Sequence, residues 1–157
     1  MKAKFVLLIG LIFSLTAFAQ NTEVPKKVKD AFAKLHPKAA DVKWDKEGKE
    51  EFEASFKEGS VKISVVLNDD GKLMETETVM DIKALPTNVK KYVSENYKGF
   101  SLTEAAKIVD NKGITTFEAE ITKGKEKKDL IFDKAGKPLT KHVKKSEKEE
   151  DEKDEED

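Results

Sequence analysis

An Asp or Asn followed three residues later by Gly occurs at Asp45–Gly48, Asn68–Gly71, Asp110–Gly113 and Asp133–Gly136. The last two repeat the first two at an offset of 65 residues, and Gly59 and Gly124 keep the same offset. The leading side chain can accept a backbone hydrogen bond and the closing Gly supplies positive φ, so each reads as a hairpin turn. The spacing predicts a duplicated antiparallel meander in two units, about 24–80 and 85–140, and constrains the fold more than any single motif.

Each unit opens on a helical pattern. Pro25 and Pro86 suit a first helical position. Val24, Val28, Ala31, Phe32 and Leu35 then fall on one stripe, as do Leu85, Val89, Tyr92, Val93 and Tyr97. His36-Pro37 and Gly99 end the two patterns. Four strands are expected after each helix: 41–44, 50–57, 60–67 and 72–79, then 104–109, 114–122, 125–132 and 137–143. With Glu58-Gly59 as a two-residue loop, Phe56 would face Val61, Ala54 would face Ile63 and Phe52 would face Val65. The other face would then carry Glu53, Ser55, Lys62 and Ser64. In the second unit Phe117 would face Leu130, and Glu118 would lie opposite Asp129. The fold class is α+β, with both helices packed on one face of the sheet and the other face wet.

The second unit places Glu126 and Lys128 where the first has Val61 and Ile63. A thinner second core is expected, with Ile63→Ala costing about 2–4 kcal/mol and Lys128→Ala less than about 0.5 kcal/mol. Trp44, the single Trp, is expected in the core beside Val42.

The ends have a different character. Lys2 and Lys4, the apolar run 5–15 and Ala17-Phe18-Ala19 read as an export signal (1–19), cleaved between Ala19 and Gln20. The run is too short for a membrane span. The charged segment 141–157 has almost nothing apolar to bury and is expected to be disordered. Without Cys the domain (20–140) has no disulfide and relies on its core. The expected location is the periplasm or outside the cell. All 30 basic residues are Lys, the net charge is −1, and no basic face is apparent, so nucleic acid is not an expected partner.

The order of the short motifs in both units resembles the PepSY-like family of exported bacterial proteins. The matching residues are Val24-Pro25-Lys26-Lys27-Val28, Phe52-Glu53-Ala54 and Leu67-Asn68-Asp69-Asp70-Gly71-Lys72. In the second unit they are Leu85-Pro86-Thr87-Asn88-Val89, Phe117-Glu118-Ala119 and Phe132-Asp133-Lys134-Ala135-Gly136-Lys137. That family is similar to beta-lactamase inhibitory protein (BLIP), whose tandem helix-plus-four-strand units form one curved sheet. The resemblance implies a binding module that presents its open sheet face to a partner, and a role in restraining or inhibiting a peptidase or other hydrolase. BLIP is stapled by disulfides and this chain has no Cys, which argues against beta-lactamase itself as the target.

No catalytic constellation accompanies this architecture. The two histidines, His36 at a helix end and His142 at the edge of the tail, read as surface residues and cannot assemble a common zinc site. No nucleophile elbow or phosphate-binding Gly-rich loop is present. The stretches after Asp45 and Asn68 lack the ligand spacing and terminal Glu of a calcium loop. Neither enzyme activity, a cofactor nor a bound metal is expected. The expected partner is a protein or peptide, held on Glu53, Ser55, Lys62, Ser64, Glu118, Glu120, Lys127 and Asp129. The alternative is an envelope protein whose acidic tail binds cations or a basic partner while the folded domain acts as carrier.

Overall fold

The computed structural model describes residues 23–139 and 144–145. The expected signal segment, the cleavage site, His142 and most of the charged tail lie outside the described residues.

The chain runs α1 (Lys26–Leu35), β1 (Ala40–Lys46), β2 (Glu51–Glu58), β3 (Val61–Asn68) and β4 (Leu73–Met80). A 3₁₀ turn (Ile82–Ala84) then leads to α2 (Thr87–Asn96), β5 (Ser101–Asp110), β6 (Thr115–Lys123) and β7 (Glu126–Asp133). A two-residue β8 (Lys144–Lys145) pairs with β7. The strands form one antiparallel sheet in sequence order.

The described residues form an α+β structure with two α-helices and seven substantial strands, and the expected exact repetition of four strands is not matched at its end. Of the segment predicted as a strand over 137–143, residues 140–143 lie outside the described residues; in the rest Pro138 makes a bridge to Phe132, and the Leu139 N–H donates to the Ile131 carbonyl at 2.8 Å. Pro138 has no N–H to continue a regular ladder. The two Pro residues also sit one position earlier than expected. Pro25 and Pro86 have ψ 141° and 140°, which is extended backbone, and the helices start at the next residue.

Three of the four turns form as read. The side-chain oxygens of Asn68, Asp110 and Asp133 each accept two backbone N–H bonds, from residues two and four positions on. Gly71, Gly113 and Gly136 take φ near +78°. The fourth is corrected. Asp45 lies within β1, paired with Glu53, and Gly48 does not take a positive φ; the Glu47 N–H donates to the Glu51 carbonyl across the connection.

The helices pack on one face, as expected. Val28 and Phe32 of α1 meet Phe52, Ala54, Phe56, Val65 and Leu67, and Trp44 joins this cluster. Val89 and Val93 of α2 meet Ala105, Ala119, Ile121, Leu130 and Phe132. Leu35, placed on the α1 stripe, is instead exposed, because the helix ends there and the sheet beneath it is covered by His36. That ring lies 4.6 Å from Phe56 and bonds Glu58 at 2.9 Å, so His36 is not a plain surface residue.

The hairpin register differs from expectation by two residues. The β2–β3 loop is Gly59-Ser60, so Phe56 faces Ile63, Ala54 faces Val65 and Phe52 faces Leu67. In β6–β7, Phe117 faces Phe132, Glu118 faces Ile131, and it is Glu120 that lies opposite Asp129. A slip of two keeps every side chain on its expected face.

Candidate functional site

The second face of the sheet, on which neither helix packs, carries the polar positions. All eight residues expected there do fall on it: Glu53 and Ser55 on β2, Lys62 and Ser64 on β3, Glu118 and Glu120 on β6, and Lys127 and Asp129 on β7. The expectation of a wet face is corrected. Glu53, Ser55, Ser64, Glu118 and Asp129 are each no more than 6% exposed. The reason is that apolar residues, Val66, Ala106, Ile108 and Ile131, share this face and the side chains cover one another.

Further carboxylates belong to the face, among them Glu75, Glu77 and Glu104. The pairing places Glu75 opposite Val66, Glu77 between Ser64 and Ile108, and Glu104 beside Glu120. Glu75 and Glu77 are buried. The weak signal for them was the alternation in Leu73–Met80, where Glu and Thr make both faces polar and leave the period ambiguous.

The face falls into a compensated and an uncompensated part. Lys127 forms an ion pair with Glu120, whose other oxygen accepts a 2.6 Å hydrogen bond from Thr103. Burial acts to raise Glu120, but the bonds from Lys127 and Thr103 outweigh it and hold the carboxyl below its ordinary range. Lys62 lies 3.6 Å from Glu104. Among the described residues, no ion pair involves Glu53, Glu75, Glu77 or Glu118.

Burial pushes Glu77 up to about 9, reinforced by the negative charges of Glu118, Glu53, Glu75 and Glu104. Glu118 is raised to about 8 by burial and then by Asp129, Glu104 and Glu120, against a partial offset from Lys127. Burial likewise raises Glu53 to about 8, helped by a hydrogen bond with Glu47 and the charge of Asp45 and opposed by the Ser64 hydroxyl. Glu75 rises to about 7 through burial and the charges of Asp110, Glu47 and Glu51. Glu118 Oε2 is buried with no hydrogen-bond partner. Among the described residues no group of His, Asp and Glu is placed to hold a metal ion.

Solved structures share this fold. A structure from Bacteroides eggerthii, provisionally described as periplasmic, aligns with a TM-score of 0.66 at 17% identity over 78% of this chain and 88% of that one. A BLIP-like protein from Bacteroides fragilis aligns with a TM-score of 0.59 at 25% identity, over 81% and 89%. A DUF2874 family protein from Bacteroides ovatus gives 0.62 at 21%, over 77% and 86%. No family model matches the chain, so the PepSY-like resemblance has no match of that kind, and no curated protein matches it. No helix among the described residues is long and apolar enough to cross a membrane.

Proposed function

We propose that this chain is an exported, non-enzymatic binding module. It uses the helix-free sheet face to hold a protein or peptide in the periplasm or outside the cell, and so restrains a hydrolase such as a peptidase. The observation that carries this reading is Glu118, a buried carboxylate on the sheet face on which neither helix packs, with one oxygen lacking a hydrogen-bond partner. A buried polar group left unsatisfied costs on the order of 1–3 kcal/mol, and a partner that supplies the missing donor recovers it. The likeness to BLIP-like and periplasmic structures, and the secretory pattern of residues 1–19, support export and partner binding.

The reading is tested by immobilising the chain lacking residues 1–19 and capturing partners from envelope extract, with identification by mass spectrometry. Val79→Trp places a bulky ring on the same face without replacing a carboxylate. It is expected to abolish capture, whereas deletion of 141–157 leaves capture intact. Capture unaffected by Val79→Trp would remove the sheet face from the function.

A further inference from the structure

We infer that the uncompensated part of this face, centred on Glu77 and Glu118, is a site for Lys or Arg side chains of an extended basic segment in the partner protein. The inference rests on the binding-module reading above and names the chemistry of its ligand.

The arrangement selects for that class. Glu77 on β4 has Ile108 as its β5 neighbour, and Glu118 on β6 has Ala106 and Ile131. Val79 extends the same row across Ala106. Carboxylates therefore alternate with an apolar floor. A ligand matching both must carry a cationic head on an aliphatic stem, which describes Lys and Arg and excludes a simple ion. The geometry points the same way, since no described carboxylate group can converge on a metal. Positions two apart on a strand are about 6.6 Å apart, the spacing at which an extended peptide presents alternate side chains.

The face also lacks the usual anchors of a neutral interface. The aromatic residues of the strands, Trp44, Phe52, Phe56, Phe117 and Phe132, pack on the helix side. Recognition must then come mainly from charge, with partial desolvation making each contact stronger than a rim ion pair. Two cations of the face are paired with other carboxylates: Lys62 lies beside Glu104 and Lys127 beside Glu120.

An arriving cation must meet ionised carboxylates. Glu77 faces Glu53 from β2, Glu75 from its own strand, Glu104 from β5 and Glu118 from β6. Glu118 adds Glu120, Asp129 and Lys127. Burial, reinforced by this crowding of like charge, holds protons on the face near neutral pH, and binding would release them.

The test is calorimetric titration of the chain with an acetylated, amidated peptide of alternating Arg and Thr, at pH 6.5 and 8.5 and in buffers of different ionisation enthalpy. The expected result is binding at least tenfold tighter at pH 8.5, with proton release at pH 6.5. Glu77→Gln with Glu118→Gln should weaken binding at pH 8.5 at least tenfold while the chain stays folded by circular dichroism. Unchanged affinity in that variant, or in the unmodified chain tighter binding at pH 6.5 or none at either pH, would overturn the inference. Envelope capture separates it from the broader reading. If Val79→Trp loses the partner and the double Gln variant keeps it, the face binds but the cation site is wrong; if both keep it, both readings fall.

Discussion

The two halves of the sheet solve the same packing problem with different side chains. In the first, Phe32 of α1 inserts between Trp44 and Phe56, with ring centroids 5.2 and 5.1 Å away, and Ile63 completes the layer. At the matching place in the second half stand Val93 and Lys128. The missing bulk comes from the chain after α2, where Tyr97 and Phe100 pack onto the core. Lys128 lays its ammonium 4.6 Å from the centre of the Phe100 ring and pairs with Glu126 at 2.6 Å. A charged residue in a core position is therefore no hole when its stem packs and its head finds an aromatic face.

The 65-residue offset of the strands compares the open faces. Glu53 in the first half corresponds to Glu118 in the second, but Ser55 and Ser64 correspond to Glu120 and Asp129. Glu53 has the Ser64 hydroxyl as a hydrogen-bonding neighbour, whereas Glu118 has an oxygen left over. The second half thus concentrates negative charge where the first uses neutral hydroxyls.

Phe32→Ala should give the largest loss, about 3–5 kcal/mol, because three ring contacts disappear with it. Val93→Ala should cost about 1–3 kcal/mol, and denaturant unfolding that gave equal losses would erase the contrast between the helices. The next effect is on pH. Carboxyls raised in the folded state contribute stability that is complete below the unfolded value of 4.5 and is lost as pH rises through about 7 to 9. Thermal melts should fall from pH 6 to pH 9, with a slope of at most about 1.4 kcal/mol per pH unit for each titrating group. Glu118→Gln should flatten that slope, and a rising slope would contradict the buried carboxylates. Lys128→Ala should cost about 1 kcal/mol, above the sequence expectation, whereas Lys128→Met keeps the stem and should lose less. The smallest change should come from the helix-to-turn bridges, Lys27 to Asp70 and the Asn88 amide to the Ala135 carbonyl. Replacing either by Ala should leave the denaturation midpoint within experimental scatter, because both are exposed.

Much of this was legible in the residues. The Asx turns at Asn68, Asp110 and Asp133 announce themselves by composition, and alternation assigns each β2 and β3 side chain to a face. Alternation has period two, however, so it cannot separate the Glu58-Gly59 loop from Gly59-Ser60, a choice made by turn geometry. Asp45 looked like a turn residue because strand pairing with Glu53 is a tertiary fact invisible to a local pattern. The face residues were found, but not their burial, since that depends on Ala106, Ile108 and Ile131 arriving from strands far along the chain. The packing of Lys128 is hidden for the same reason, as its partners Tyr97 and Phe100 are about thirty residues earlier.

The unbroken strand order from β1 to β7 carries a kinetic consequence. Every strand pairs with its neighbours in sequence, and the one long connection, between β4 and β5, is filled by the 3₁₀ turn and α2. Ladder formation therefore requires closing only short loops, so the entropy lost before each pairing is rewarded is small. Such a chain can assemble hairpin by hairpin from its N-terminal end as it is synthesised, with α1 and the first four strands completing a core before β7 arrives. Folding of this sheet should be rapid for an all-antiparallel sheet of its size, without a phase that waits for distant ends to meet.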